Sequence, residues 1–218
     1  MHEKAMQIDE IIFADTTKEF PQLYEHIKKI EQYIDIPIKI LRNKTYDYWM
    51  FKHEKTKGKY KGQKGYAWAS QSQNKWCATV LKRNIIKSYL DKKYGNENYI
   101  QYIGIAMDEM QRIEDNKLKR YPLIDWEMTE GEALKYCYDK GFDWNGLYTK
   151  FNRVSCWCCP FSSLRELRNL YMYYPDLWNK LKKMDIKSRN QFREKESVQD
   201  LEDRFKKELD EMYLKIKL

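Results

Sequence analysis

The chain has 218 residues, a formal charge of +8, a pI near 9.0, and 42% hydrophobic and 15% aromatic residues. That length and composition suit one substantial folded body with an ordinary core, and exclude a disordered chain or a small scaffold dependent on disulfide staples. The basic balance favours polyanionic partners such as nucleotides, RNA or DNA. No apolar run approaches the roughly 18 residues that cross a bilayer, and the opening MHEKAMQIDE lacks a signal-peptide pattern. A cytoplasmic protein without a membrane partner is expected.

Along the chain, Ile8 to Thr17 has a short apolar centre followed by Asp15-Thr16-Thr17, which suits a buried strand delivering polar side chains at its carboxyl end. Phe20, Leu23, Tyr24, Ile27, Ile30 and Ile34 recur at helical spacing, so an amphipathic helix is predicted over Pro21 to Ile34, with proline in its first turn. A second strand follows at Pro37 to Leu41. The stretch Lys52 to Lys64 holds six lysines and two glycines around Tyr60 and reads as a mobile basic loop. A solvated loop and a phosphate-contacting flap are its two readings.

Leu81, Ile85, Ile86 and Leu90 predict a helix over Leu81 to Tyr94, and a strand is expected at Tyr99 to Ala106 with Asp108 and Glu109 just beyond it. The repeated strand-helix-strand order argues for a parallel sheet with crossover helices. Thr129-x-x-Glu132 is a capping-box signature for a helix reaching about Lys140, where Gly141 stops it. Ser162 to Tyr173 and Pro175 to Met184 read as two short helices. Residues 191 to 217 form a charged helix with near-heptad apolar positions at Val198, Leu201, Phe205, Leu209, Met212 and Ile216. Packing on its own domain and a coiled-coil homodimer are the readings that spacing allows.

Five cysteines, three of them in Ser155-Cys156-Trp157-Cys158-Cys159-Pro160, point in a reducing compartment to metal ligands or reactive thiols rather than disulfides. Thiolates suit zinc and iron-sulfur centres, and the C-x-x-C spacing of Cys156 and Cys159 lets both grip one centre. Cys77, at a helix start, and Cys137, on the helix leading to the cluster, are the partners that complete a four-cysteine site; as plain core residues they would leave it incomplete. Cys158 is surplus to four ligands.

The residues that follow one another as Ile11-Ile12-Phe13-Ala14-Asp15-Thr16-Thr17-Lys18-Glu19-Phe20-Pro21, Trp76-Cys77 with Lys82, Gly104-Ile105 with Asp108, Glu109 and Arg112, Tyr121 to Trp126, Gly146-Leu147-Tyr148 and Arg153-Val154-Ser155-Cys156-x-x-Cys159-Pro160 carry a resemblance. In that order they are similar to the phosphoadenosine phosphosulfate reductase family, within the adenine nucleotide alpha hydrolase-like superfamily that also holds N-type ATP pyrophosphatases. The resemblance covers about residues 8 to 161. It implies a Rossmann-like, HUP-type α/β fold, with a partial adenine-nucleotide domain over 1–120, a cysteine-rich segment packed on it over 121–186, and the charged helix over 187–218.

The same resemblance implies that Asp15, Thr16 and Thr17 line a pocket for ATP or an adenylylated sulfur compound, ancestrally cleaved between phosphates or reduced. Lys82, Arg112 and Arg153 would meet its phosphate or sulfate; surface salt bridges are the alternative. Asp108 and Glu109 would orient the ligand or a magnesium ion accompanying ATP, or serve as helix caps. Cluster-bearing members hold a four-iron four-sulfur cluster on an early cysteine pair and a later C-x-x-C. Here position 76 is Trp, so Cys77, Cys137, Cys156 and Cys159 are the expected ligands of such a cluster, with zinc as the alternative.

The family's Ser-Gly-Gly-Lys-Asp-Ser-type phosphate loop has no counterpart here, as if Met1 were an internal start, and no cysteine follows Cys159. Thiol-based sulfate reduction is therefore not expected. A non-catalytic subunit is the alternative function, binding nucleic acid or a protein through loop 52–64 in a sulfur-modification or defence system.

Overall fold

A computed structural model describes residues 6–69 and 75–216. They form two compact units that interleave along the chain, the first built from 6–14, 21–41 and 83–147, the second from 15–20, 42–69, 75–82 and 148–216.

In the first unit, the apolar run predicted as a strand forms β1 (Ile11–Ala14), shorter than expected because Asp15 begins a polar turn. It pairs in parallel with β2 (Ile38–Leu41), in a register that sets Ile11 against Ile38 and Ala14 against Leu41. The crossover is α1 (Pro21–Ile34), with the predicted bounds, burying His26 and Ile27. This is the expected parallel strand-helix-strand unit.

The helix predicted from Leu81 starts earlier. It runs as α2 (Trp76–Ala78), a wider π-helical turn over Thr79–Arg83, and α3 (Asn84–Tyr94). The strand expected over Tyr99 to Ala106 contracts to β3 (Gln101–Tyr102), paired in parallel with β4 (Lys119–Arg120). Past Tyr102 the backbone bends sharply, the Ile105 N–H donating to the Ile103 carbonyl at 3.0 Å around Gly104. Ile105 and Ala106 stay buried without a strand. Among the described residues the parallel sheet thus appears as two separate two-stranded pieces.

A short α4 (Pro122–Asp125) precedes α5 (Glu130–Asp139), which opens on the predicted capping box: the Thr129 hydroxyl accepts from the Glu132 N–H, and the Glu132 carboxylate accepts from the Thr129 N–H at 2.9 Å. Gly141, at φ 81, follows its end.

The second unit is built on α6 (Leu164–Tyr173), α7 (Pro175–Lys187) and α8 (Val198–Ile216). The near-heptad positions of α8 explain themselves in its first half: Val198, Leu201 and Phe205 are fully buried, with Phe205 beside the Trp178 ring at 5.9 Å. The Trp178 indole donates to Glu202 at 2.8 Å, and Lys182 and Lys206 flank the same carboxylate. A row of rings runs Tyr46, Trp76, Tyr66, His53 and Trp49.

The stretch read as a mobile basic loop is organised: Glu54 and Lys64 pair as an antiparallel bridge, and its backbone closes into a hairpin. Among the described residues no helix is long and apolar enough to cross a membrane.

Candidate functional site

The polar turn after β1 and the cysteine-rich turn meet within the second unit. Asp15 and Thr16 are 1% exposed, and Glu19 5%. Buried polar groups persist only when partnered, and each of these is. The Asp15 carboxylate accepts from the Thr17 N–H at 2.6 Å and from the Arg42 guanidinium, whose Nε lies at 2.9 Å. Thr17 takes φ 67, a left-handed conformation that is strained for a β-branched residue. It is held there by Asp15 on one side and by its hydroxyl on the other, which accepts from the Tyr46 N–H at 3.2 Å.

The Thr16 hydroxyl accepts from the Lys18 N–H at 3.2 Å and donates to Glu19 Oε1 at 2.9 Å. Cys156 Sγ lies 3.3 Å from the same hydroxyl and 3.5 Å from Glu19 Oε1. Backbone bonding locks the two turns together, the Trp157 N–H donating to the Lys18 carbonyl at 3.0 Å. The Lys18 ammonium sits 5.2 Å from the Trp157 ring and is tethered to Asp47 at 3.0 Å. Lys82 Nζ stands 3.7 Å from Glu19, its side chain 44% exposed.

Within the cysteine turn, the Cys159 N–H donates to the Cys156 carbonyl at 3.2 Å, and Cys158 is fully buried. Burial, reinforced by the Glu19 carboxylate and opposed by Lys82 and Thr16, pushes the Cys156 thiol up to about 12. Burial also raises Cys77, as does Cys159, while the helix-start N–H groups of Ala78 and Cys77 and the Lys82 ammonium oppose the rise. Lys82 is held above its ordinary range: the cost of burial is outweighed by Glu19, Cys156 and Cys77.

The expected metal ligands therefore divide. Cys77, Cys156 and Cys159 belong to the second unit, and Cys137 to α5 of the first, where burial alone raises its thiol. The donor set of the second unit has the chemistry of a soft-metal site, yet among the described residues no three Cys, His, Asp or Glu side chains converge as a metal ion requires.

The expected nucleotide residues divide too. Asp15, Thr16, Thr17, Lys82 and Arg153 lie in the second unit; Asp108, Glu109 and Arg112 lie in the first. There Arg112 pairs with Glu109, and Asp108 accepts the Glu130 N–H at 2.9 Å. Arg153 is exposed and lines a crevice with Ser155, Cys156 and Glu166. Sequence reasoning assigned no role to Glu19, Arg42 or Lys18. The signal available for Glu19 was its place three residues after Thr16, inside the same polar turn.

Comparison with known proteins adds relatives. Over 181 residues the chain is 26% identical to "Uncharacterized protein MJ0973" of Methanocaldococcus jannaschii, covering 78% of this chain and 40% of that protein. Over 183 residues it is 24% identical to "Uncharacterized protein MJ0066" of the same organism, covering 78% of this chain and 35% of that one. The chain thus spans well under half the length of these relatives. No solved structure matches. Residues 1–162 match the family described as "Phosphoadenosine phosphosulfate reductase domain", about three quarters of the sequence and all of the turn geometry above. The chain belongs to this nucleotide-binding family.

Proposed function

We propose that this chain binds an adenine nucleotide, either ATP with magnesium or an adenylylated sulfur compound, with the anionic end of the ligand at the polar turn beside Cys156. The observation that supports this most is that two cations stand beside the joined turns, the half-exposed Lys82 at 3.7 Å from Glu19 and the exposed Arg153 in the crevice with Cys156. Cations of this kind satisfy phosphate or sulfate oxygens. Asp15 and Thr16, being buried, act by fixing the turn.

Titration calorimetry with ATP, with and without magnesium, and with adenosine 5′-phosphosulfate tests it. Saturable binding is expected, weakened at least tenfold by Lys82→Ala and by Arg153→Ala. No binding of either compound at about 1 mM would overturn it.

We further propose that Cys77, Cys156 and Cys159 of the second unit hold a four-iron four-sulfur cluster, with zinc as the other candidate. Such a centre would pin the cysteine turn to the start of α2. Protein purified without oxygen should be brown with iron and sulfide, or colourless with about one zinc per chain. Cys156→Ser should lose the metal, and stoichiometric absence of both metals sinks this part of the reading while leaving nucleotide binding untouched.

A further inference from the structure

The hairpin over residues 53–65 presents charge that the fold itself does not use. Its backbone is ordered: the Lys55 N–H donates to the Gln63 carbonyl at 3.0 Å, the Gly62 N–H to the Lys55 carbonyl at 2.8 Å, and the Gly65 N–H to the His53 carbonyl at 2.6 Å. Its base is fixed to the second unit. The Tyr66 and Ala67 N–H groups donate to the Trp49 and Met50 carbonyls, and Arg189 Nη2 donates to the Gly65 carbonyl at 2.7 Å.

On that base stand Lys52, Lys57, Lys59, Lys61 and Lys64, all exposed and without an ion-pair partner among the described residues. Lys55 is half-buried over the Tyr66 ring at 5.5 Å. Glu54 is the one acid in the hairpin. Like charges so closely spaced on one tight turn repel one another, and a solvated loop gains nothing from holding them in register. At the tip the Tyr60 ring is 53% exposed, with Lys55 Nζ at 5.0 Å and Lys59 Nζ at 5.9 Å. An exposed ring flanked by cations is the combination that takes a base on its face and phosphates on either side.

We propose that this hairpin is a binding site for single-stranded nucleic acid, in which Tyr60 stacks a base and Lys57, Lys59 and Lys61 meet successive phosphates. Charge alone would equally attract an acidic protein surface. The solvent-facing ring at the centre of the lysines favours the nucleic acid, because a carboxylate surface offers nothing flat to stack on it. This inference does not depend on the mononucleotide reading, since none of these residues belongs to that site.

Fluorescence anisotropy of the full chain with a labelled oligo-dT of roughly 12 nucleotides tests it. Binding should weaken with salt, and Lys57→Ala/Lys59→Ala/Lys61→Ala should make the log-log salt slope shallower by about 2. Tyr60→Ala should weaken binding about tenfold with the slope unchanged, and Tyr60→Trp should restore it. The substituted side chains are exposed, so thermal melts should match wild type. Equal or tighter binding of polyglutamate would assign the surface to an acidic protein and overturn the proposal. So would tighter binding of duplex than of single strand, or a Tyr60→Ala variant that binds as wild type.

Discussion

The Thr16 hydroxyl and the Cys156 thiol stand 3.3 Å apart although 140 residues separate them in sequence. This contact fastens the polar turn that follows β1 to the cysteine turn, and Glu19 completes it from 3.5 Å. Removing the hydroxyl strands the buried Lys18 N–H and takes a donor away from the buried Glu19 carboxylate. Thr16→Val should therefore cost about 1–2 kcal/mol in urea unfolding. The double variant Thr16→Val/Cys156→Ala should cost less than the sum of the singles by roughly 0.5 kcal/mol or more, whereas strict additivity would mean that the contact carries no energy.

A pH dependence is expected from His26, which lies against Trp144 with ring centres 4.3 Å apart and against Phe142 at 5.5 Å. Its Nδ1 is buried without a hydrogen-bond partner among the described residues. Burial, helped by Lys29 and partly offset by Asp143, lowers the imidazole from 6.5 to about 4. The unfolded chain takes up this proton first, so the contribution is present above pH 6.5 and is lost as pH falls towards 4. It amounts to at most roughly 3 kcal/mol. His26→Phe should flatten the stability profile in that window, read as urea midpoints at several pH values; an unchanged profile would refute the assignment.

Glu202 governs a lower window. Burial would raise its carboxyl, but hydrogen bonds from Lys182, Lys206 and Trp178 prevail and hold it at about 2, against 4.5 ordinarily. A carboxyl lowered on folding stabilises above its unfolded value, and the benefit fades as pH falls from 4.5 through 2. Glu202→Gln should destabilise by about 2 kcal/mol at neutral pH, discounting for the part-exposed lysines, and the gap should narrow in acid.

Glycines in the basic hairpin should differ sharply. A Cβ on Gly65 would lie 2.1 Å from the Met50 carbonyl oxygen at φ +71, whereas Gly58 and Gly62, also at positive φ, face open space. Gly65→Ala should cost roughly 3 kcal/mol or more, while Gly58→Ala and Gly62→Ala should each cost about 1 kcal/mol, the backbone penalty alone. Thermal melts of the three variants separate these outcomes.

Much of this architecture is legible in the sequence. The helix from Pro21 to Ile34 kept its bounds because its apolar spacing, its proline and its packed face agree. Thr129 and Glu132 marked the start of α5 because a capping box is local chemistry. The strand expected over Tyr99 to Ala106 failed beyond Tyr102 because burial of Ile105 and Ala106 mimics a strand pattern while the backbone at Gly104 turns away.

At the site, the polar turn and the cysteines were both visible as motifs, but their contact was not, since nothing local in Thr16 or Glu19 points to a partner beyond residue 150. The role of Cys158 was equally hidden: its complete burial marks it as a core residue among ligand-like neighbours.

The interleaving of the two units has a consequence for synthesis. The second unit needs residues 15–20 and also residues that follow Leu147, the last of the first unit, so no single cut of the chain releases it whole. On the ribosome the Asp15–Phe20 turn must wait, its Thr16 hydroxyl and Glu19 carboxylate without Cys156, until the cysteine turn has emerged. The first unit, complete by Leu147, can settle before that moment, and closure of the long loop between Thr16 and Cys156 becomes a late event in the birth of the fold.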